Sequence, residues 1–153
     1  MLSELIYDRT PEDVKEAKQI RRDIIQQSEG LTETQITVLE RGMITTNTIN
    51  RIARAQKELR DRINGLGYFN TPIDIIEYTG SDIFTDKDFE RLVSNNAILR
   101  KAFFVFKNSP KNAIAKYHYA EFNALERILS DLFTMAEFVS NNYRQAGTFE
   151  SGE

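Results

Sequence analysis

A chain of 153 residues, 41% hydrophobic and 28% charged, with ten Phe and six Tyr, suits a single domain with a real core. It contains no cysteine, which excludes disulfides, thiolate metal sites and cysteine nucleophiles. Its net charge is −3 with acids and bases interspersed, which argues against nucleic acid as a partner, since a duplex binder carries a basic face to displace counterions.

The opening residues have neither the basic nor the apolar part of a signal peptide, and none is expected. No apolar run approaches the roughly 18 residues that span a bilayer, so no membrane partner is expected either. The first helix is announced by Thr10 as cap, Pro11 at the first helical position and Asp13 three residues after the cap. Val14, Ala17, Ile20 and Ile24 make one narrow apolar stripe, with Ile25 at its margin, and Gly30 stops the helix. Thr32 and Gln35 start a second, short helix that ends near Gly42. A third runs from about Asn47 to about Asn64, where Gly65, Gly67 and Pro72 break it.

Residues 73–78, IDIIEY, are the one β-like piece. With no obvious partner strand they read as an extended segment packing its isoleucines on the helices, a small hairpin being the alternative. Thr85 and Asp88 open a fourth helix that runs to about Phe106. A loop, KNSPKNA, follows, and a last helix starts near Tyr119 and ends around Asn141. Residues 1–145 are expected to form one helical domain and 146–153 a flexible C-terminal tail.

Three of these helices carry the same line. Ile49, Ile52, Gln56, Leu59 and Ile63 match Phe89, Leu92, Asn96, Leu99 and Phe103, and then Phe122, Leu125, Leu129, Leu132 and Ala136. At 100° per residue the shared offsets fall within a sector of roughly 80°. That is a coiled-coil-like seam, and antiparallel helices with such seams make bundles. Gln56 and Asn96 sit mid-seam, where an amide can specify register; the plainer expectation is that they mark where the seam meets solvent. The line starts also echo one another, as INR, FER and FNA.

Chemistry is hard to find. His118 is the single histidine, and a general base needs an orienter and a nucleophile that the sequence does not place. The pairs Glu12/Asp13 and Asp86/Asp88 lie in first turns, where negative charge offsets the helix dipole. Glu121/Glu126 is a third pair. Gly80–Asp82 and Thr85–Asp88 lack the alternating series of a calcium loop, and Gly65–Gly67 ends a helix where a phosphate loop would open one. Arg21 and Arg22 read as an exposed helix face. The run KAFFVF places more apolar bulk in a row than one helical neighbour can cover, so core packing and partner contact both remain open for it. Phe104, Phe106, Tyr117 and Tyr119 are the candidate partner contacts. No enzyme, catalytic residue, cofactor, metal or small-molecule substrate is expected.

Four stretches, LIYDRTPEDVKEAKQI, TNTINRIARAQKELRDRINGLGYFNTP, SDIFTDKDFERLVSNNAILRKAFF and YAEFNALERILSDL, come in an order that resembles phage and prophage tail-associated (baseplate or tail-fibre region) structural proteins of Gram-positive bacteria. The resemblance implies a non-catalytic structural or assembly module, found in the virion or in the bacterial cytoplasm during assembly. Its partners would be other phage structural proteins or further copies of itself. The rival reading is a helical adaptor or regulator binding a host protein. The expected architecture is all-α, a bundle of four to five helices with one short extended segment near 73–78.

Overall fold

The computed structural model describes residues 4–27, 29–67, 73–80, 82–102, 108–111 and 118–150, the last eight without side chains. Among the described residues there are five helices: α1 Pro11–Ile25, α2 Glu33–Gly42, α3 Thr46–Gly65, α4 Asp86–Arg100 and α5 Tyr119–Glu150. The protein is an all-α bundle, and residues 73–78 form no hairpin. No helix among the described residues is long and apolar enough to cross a membrane.

Capping starts four of the helices as the side chains dictate. The Thr10 N–H donates to Asp13 at 2.8 Å, and the Asp13 N–H donates back to the Thr10 hydroxyl at 3.3 Å. Thr32 and Gln35 do the same for α2 at 3.0 and 3.2 Å. At α4 the Thr85 N–H and hydroxyl both donate to Asp88 Oδ2 at 2.7 Å. Thr45 and Thr48 cap α3 with a box that sequence reading overlooked, because Thr replaces the usual Glu or Gln. Each box satisfies N–H groups that the first helical turn leaves without carbonyl partners.

The three aligned lines make the core. Every described member of the lines is buried, the large side chains of Ile52, Leu59, Ile63, Phe89, Leu99, Phe122 and Leu129 almost completely. Phe103 lies outside the described residues. Phe89 and Phe122, which head two of the lines, sit with ring centroids 5.1 Å apart.

The helices of this core run in the same direction, which corrects the antiparallel expectation. Arg51 meets Glu126 and Arg62 meets Phe133, so α3 and α5 advance together. Phe89 meets Phe122 and Asn96 meets Leu125, so α4 does too. Parallel neighbours need the chain to return between them. The extended segment does this: Tyr78 is tied to Asn50 near the start of α3, and Asp74 to Asn95 near the end of α4. Extended chain advances about 3.3 Å per residue against 1.5 Å in a helix, so the return needs fewer residues than the helix it runs beside. Ile73 and Tyr78 pack on the core during this crossing, while Ile76 and Ile83 face solvent.

Gln56 and Asn96 are buried, not at a solvent edge as expected. Gln56 donates to the Leu92 carbonyl and to Asn96 Oδ1, both at 2.8 Å, while Asn96 donates to the Leu125 carbonyl at 3.0 Å. Asn95 adds a hydrogen bond to Gln56 Oε1 at 3.1 Å. A buried amide left unpaired costs about 1–3 kcal/mol, so this network holds the seams in one register.

Boundaries also moved. Gln26, not Gly30, caps α1. Lys101 caps α4 at Arg100, short of Phe106. α5 passes the expected end near Asn141 and takes residues 146–150 into the helix. Gly67 turns the chain after α3 with φ +88°, a conformation a side chain would strain.

α1 and α2 form a hairpin beside the core. Only Ala17 of the α1 stripe is fully buried; Val14, Ile20 and Ile24 are half-buried and Ile25 is 80% exposed. Gly42 sets the crossing distance. A Cβ there would lie 2.0 Å from the Asp13 carbonyl oxygen and 2.5 Å from the Ala17 Cβ, so only glycine permits this approach.

Candidate functional site

Three asparagines, one on each core helix, hold the extended parts of the chain. Each clamps one backbone residue by both its N–H and its C=O. Asn50 clamps Tyr78 with two bonds of 2.8 Å, and Asn95 clamps Asp74 at 2.8 and 3.2 Å. Asn123 clamps Arg9 at 2.9 and 3.1 Å. A carboxamide offers one donor and one acceptor side by side, as a neighbouring β-strand would, so these segments satisfy their backbone without a sheet. Asn50 and Asn123 are the middle residues of INR and FNA, so that echo is two copies of one clamp.

The Asn123 clamp draws the N-terminal segment along α5, and Leu5 enters the core. This delivers Arg9 to Glu126, and α3 delivers Arg51 to the same carboxylate. Arg51 donates from Nη2 and Nε to Glu126 Oε1 at 2.6 and 3.0 Å. Arg9 Nη1 lies 3.5 Å from Oε2, which also accepts from the Ile6 N–H. The Glu126 side chain is fully buried and that of Arg9 is 3% exposed. Burial pushes the Glu126 carboxyl up from its ordinary value, against the pull of Arg9 and Arg51. Burial likewise pushes the Arg9 guanidinium down, aided by the Arg51 and Arg41 cations and opposed by Glu126. Arg9 Nη2 has no hydrogen-bond partner among the described residues. The carboxylate pair read from sequence as Glu121/Glu126 is therefore split: Glu126 belongs to this cluster, and Glu121 to the first turn of α5.

Beside the cluster lies a cavity of about 390 Å³ between the α1–α2 hairpin and the start of α5. Arg9, Lys18, Arg21 and Arg41 line it, and no carboxylate does among the described residues. Val14, Lys18 and Arg21 reach it together because they follow one another by four and three positions along α1. Arg41 is compensated from outside by Asp13 and Asp8, each at 3.2 Å. Its guanidinium holds the Asp13 carboxyl down at about 2, helped by the Thr10 N–H. Ile44, Tyr119 and Phe122 supply apolar wall.

A second polar knot fastens the crossing segment to α4. The Tyr78 hydroxyl donates to Asp88 Oδ1 at 2.5 Å and accepts from Arg91 Nη1 at 2.6 Å. The Tyr78 hydroxyl, first, holds the Asp88 carboxyl down at about 2, while burial pushes Tyr78 up.

Of the four expected partner contacts, Phe104, Phe106 and Tyr117 lie outside the described residues. Tyr119 is half-buried, lines the cavity and stacks on His118 at 4.4 Å between ring centroids. His118 is exposed, and its Nδ1 accepts the Ala120 N–H at 3.2 Å, a capping role at the start of α5. Arg21, read as one of two exposed basic residues, lines the cavity with Arg9, Lys18 and Arg41, none of which sequence reading singled out. The spacing of Val14, Lys18 and Arg21 was the available signal for α1. Nothing local marked Arg9, which reaches Glu126 across 117 positions of chain.

The fold and site define a class, an all-α bundle with a buried ion cluster and an adjoining cationic cavity. Compared with protein-family models, curated proteins and solved structures, the chain matches none.

Proposed function

We propose that the chain is a non-catalytic structural or assembly component of a phage or prophage tail that works through protein contacts. The observation that carries the contact reading is the turn end of the α1–α2 hairpin. Ile25, Leu31 and Ile36 are 80%, 44% and 42% exposed there, close to the connection between the two helices. Covering a large aliphatic side chain yields about 1.5–3 kcal/mol, so three at one end of a hairpin favour association over isolation. The tail assignment is supported by the ordered resemblance of the four sequence stretches. Two of those stretches supply Arg9 and Glu126, and a third supplies Arg51, so residues of the resembling stretches help build the fold, which supports a structural role.

The test has two parts. After induction of a host lysogen, particles purified on a density gradient are searched for the protein by mass spectrometry, which finds it in particles or in assembly intermediates. The triple variant Ile25→Glu, Leu31→Glu, Ile36→Glu keeps its helical circular dichroism but loses incorporation and any self-association seen by light scattering. Absence from particles and intermediates, with host proteins captured instead through the same three residues, refutes the tail assignment and favours the adaptor.

A further inference from the structure

The charges around the cavity are not balanced among the described residues. Two guanidiniums, Arg9 and Arg51, share the single carboxylate of Glu126, and Arg9 keeps one buried N–H group without an acceptor among the described residues. Arg41 is offset by Asp8 and Asp13, but Lys18 and Arg21 have no ion pair among the described residues. The buried part of this excess lies on Arg9 and Arg51, whose two charges face one carboxylate, and buried charge is costly unless something offsets it; Lys18 and Arg21 are exposed residues of the same lining. The other side of the same cavity is apolar, with Val14, Ile44 and Phe122 in its lining and the Tyr119 ring beside them.

We propose that this cavity binds a carboxylate carried on a short apolar or aromatic body. The carboxylate offsets the cations of Lys18 and Arg21 and lies in the field of Arg9, while the body displaces water from the apolar wall. A compact hydrated anion such as phosphate leaves that wall wet, and a neutral apolar molecule leaves the cations uncompensated. A volume of about 390 Å³ is in the range of small-ligand sites. Two sources offer this chemistry: a free aliphatic or aromatic acid, and an acidic residue beside a large hydrophobic one in a protein segment. The inference does not depend on the tail assignment, since the cavity lies away from Ile25, Leu31 and Ile36 in the lining it presents.

The experiment titrates the intact protein with 3-phenylpropionate, with its neutral amide, with inorganic phosphate and with the capped peptide acetyl-Phe-Glu-amide, followed by NMR and calorimetry. A probe of this size binds with Kd on the order of 1 mM or tighter. Resonances of Val14, Ile44 and Tyr119 shift, and affinity for the acid falls as salt is raised. The amide and phosphate bind at least about 10-fold more weakly than the acid, the charge and the apolar body each being required. Lys18→Gln with Arg21→Gln removes two exposed cations and leaves the core untouched, so the fold persists by circular dichroism. That variant loses about 5–10-fold in affinity for the acid, and its residual binding, now resting on Arg9 and Arg41, depends less on salt than that of the parent. Tighter binding of the peptide than of phenylpropionate assigns the site to a protein segment, and the reverse order to a free acid; either order supports the proposal. Equal binding of acid and amide, equal binding of phosphate, wild-type affinity in the double variant, or no shift with any probe at 10-fold above that Kd overturns it.

Discussion

Glu126→Gln is the sharpest probe of what holds this fold together. The substitution keeps the shape of the side chain and an acceptor for the Ile6 N–H, and removes one charge. In the protein that charge faces Arg51 at 2.6 and 3.0 Å and Arg9 at 3.5 Å, with its own side chain fully buried. At an effective dielectric constant near 20, a unit-charge pair about 4 Å apart is worth about 4 kcal/mol. Two such attractions are lost, and the repulsion between Arg9 and Arg51 remains. Burial raises the Glu126 pKa in spite of both arginines, so relief of desolvation offsets these attractions, and the penalty that remains comes from leaving two buried guanidiniums without a counter-charge. The net loss is about 3–5 kcal/mol, the usual penalty for stranding a buried charge. With a urea slope of about 2 kcal/mol/M, the unfolding midpoint falls by about 1.5–2.5 M. Urea denaturation followed by circular dichroism reads this directly. Adding Arg51→Gln to the variant removes one stranded cation and restores about 1–2 kcal/mol relative to the sum of the single effects. A midpoint for Glu126→Gln within about 0.3 M of the parent would refute the claim that this carboxylate neutralises the two guanidiniums.

Three further outcomes follow from other contacts. Gly42→Ala places a Cβ 2.0 Å from the Asp13 carbonyl oxygen, so the hairpin must open; hydrogen exchange accelerates in α1 and α2, the core helices keep their protection, and global stability falls by about 1–3 kcal/mol. Asn123→Ala leaves the Arg9 N–H and C=O unpaired and costs about 2–4 kcal/mol, with early exchange of residues 4–10 as the signature; unchanged exchange there would count against the clamp. Asp13 and Asp88 have folded pKa values of about 2 against the model-peptide 3.8. Their contribution is therefore complete above about pH 4 and is lost as pH falls through about 2, roughly 1–2 kcal/mol for each after allowing for solvent screening. The double variant Asp13→Asn, Asp88→Asn should show a flatter fall in thermal midpoint between pH 4 and 2 than the parent, and an equally steep fall would mean that other carboxylates control acid unfolding.

By itself the sequence determined where helices begin and which faces they bury. Thr10, Thr32 and Thr85 carry their capping information within three residues, and the 3.6-residue period of the apolar positions is a local property of the chain. The three lines of seam residues were legible for that reason, down to Leu59, Leu99 and Leu132. Helix direction was not, because a seam reads the same whether its neighbour runs up or down. Only the tertiary structure decided that Asn50 and Asn95 clamp the chain returning between α3 and α4, which lets these helices run parallel, and that Asn123 clamps the N-terminal segment at Arg9. It alone buried Gln56 and Asn96, since an amide meets its partners only once register is set between helices. Arg9 and Glu126 are ordinary surface-type residues in sequence. Their burial, the cationic cavity beside them and the chemistry proposed for it depend on contacts across 117 positions, which no local pattern encodes.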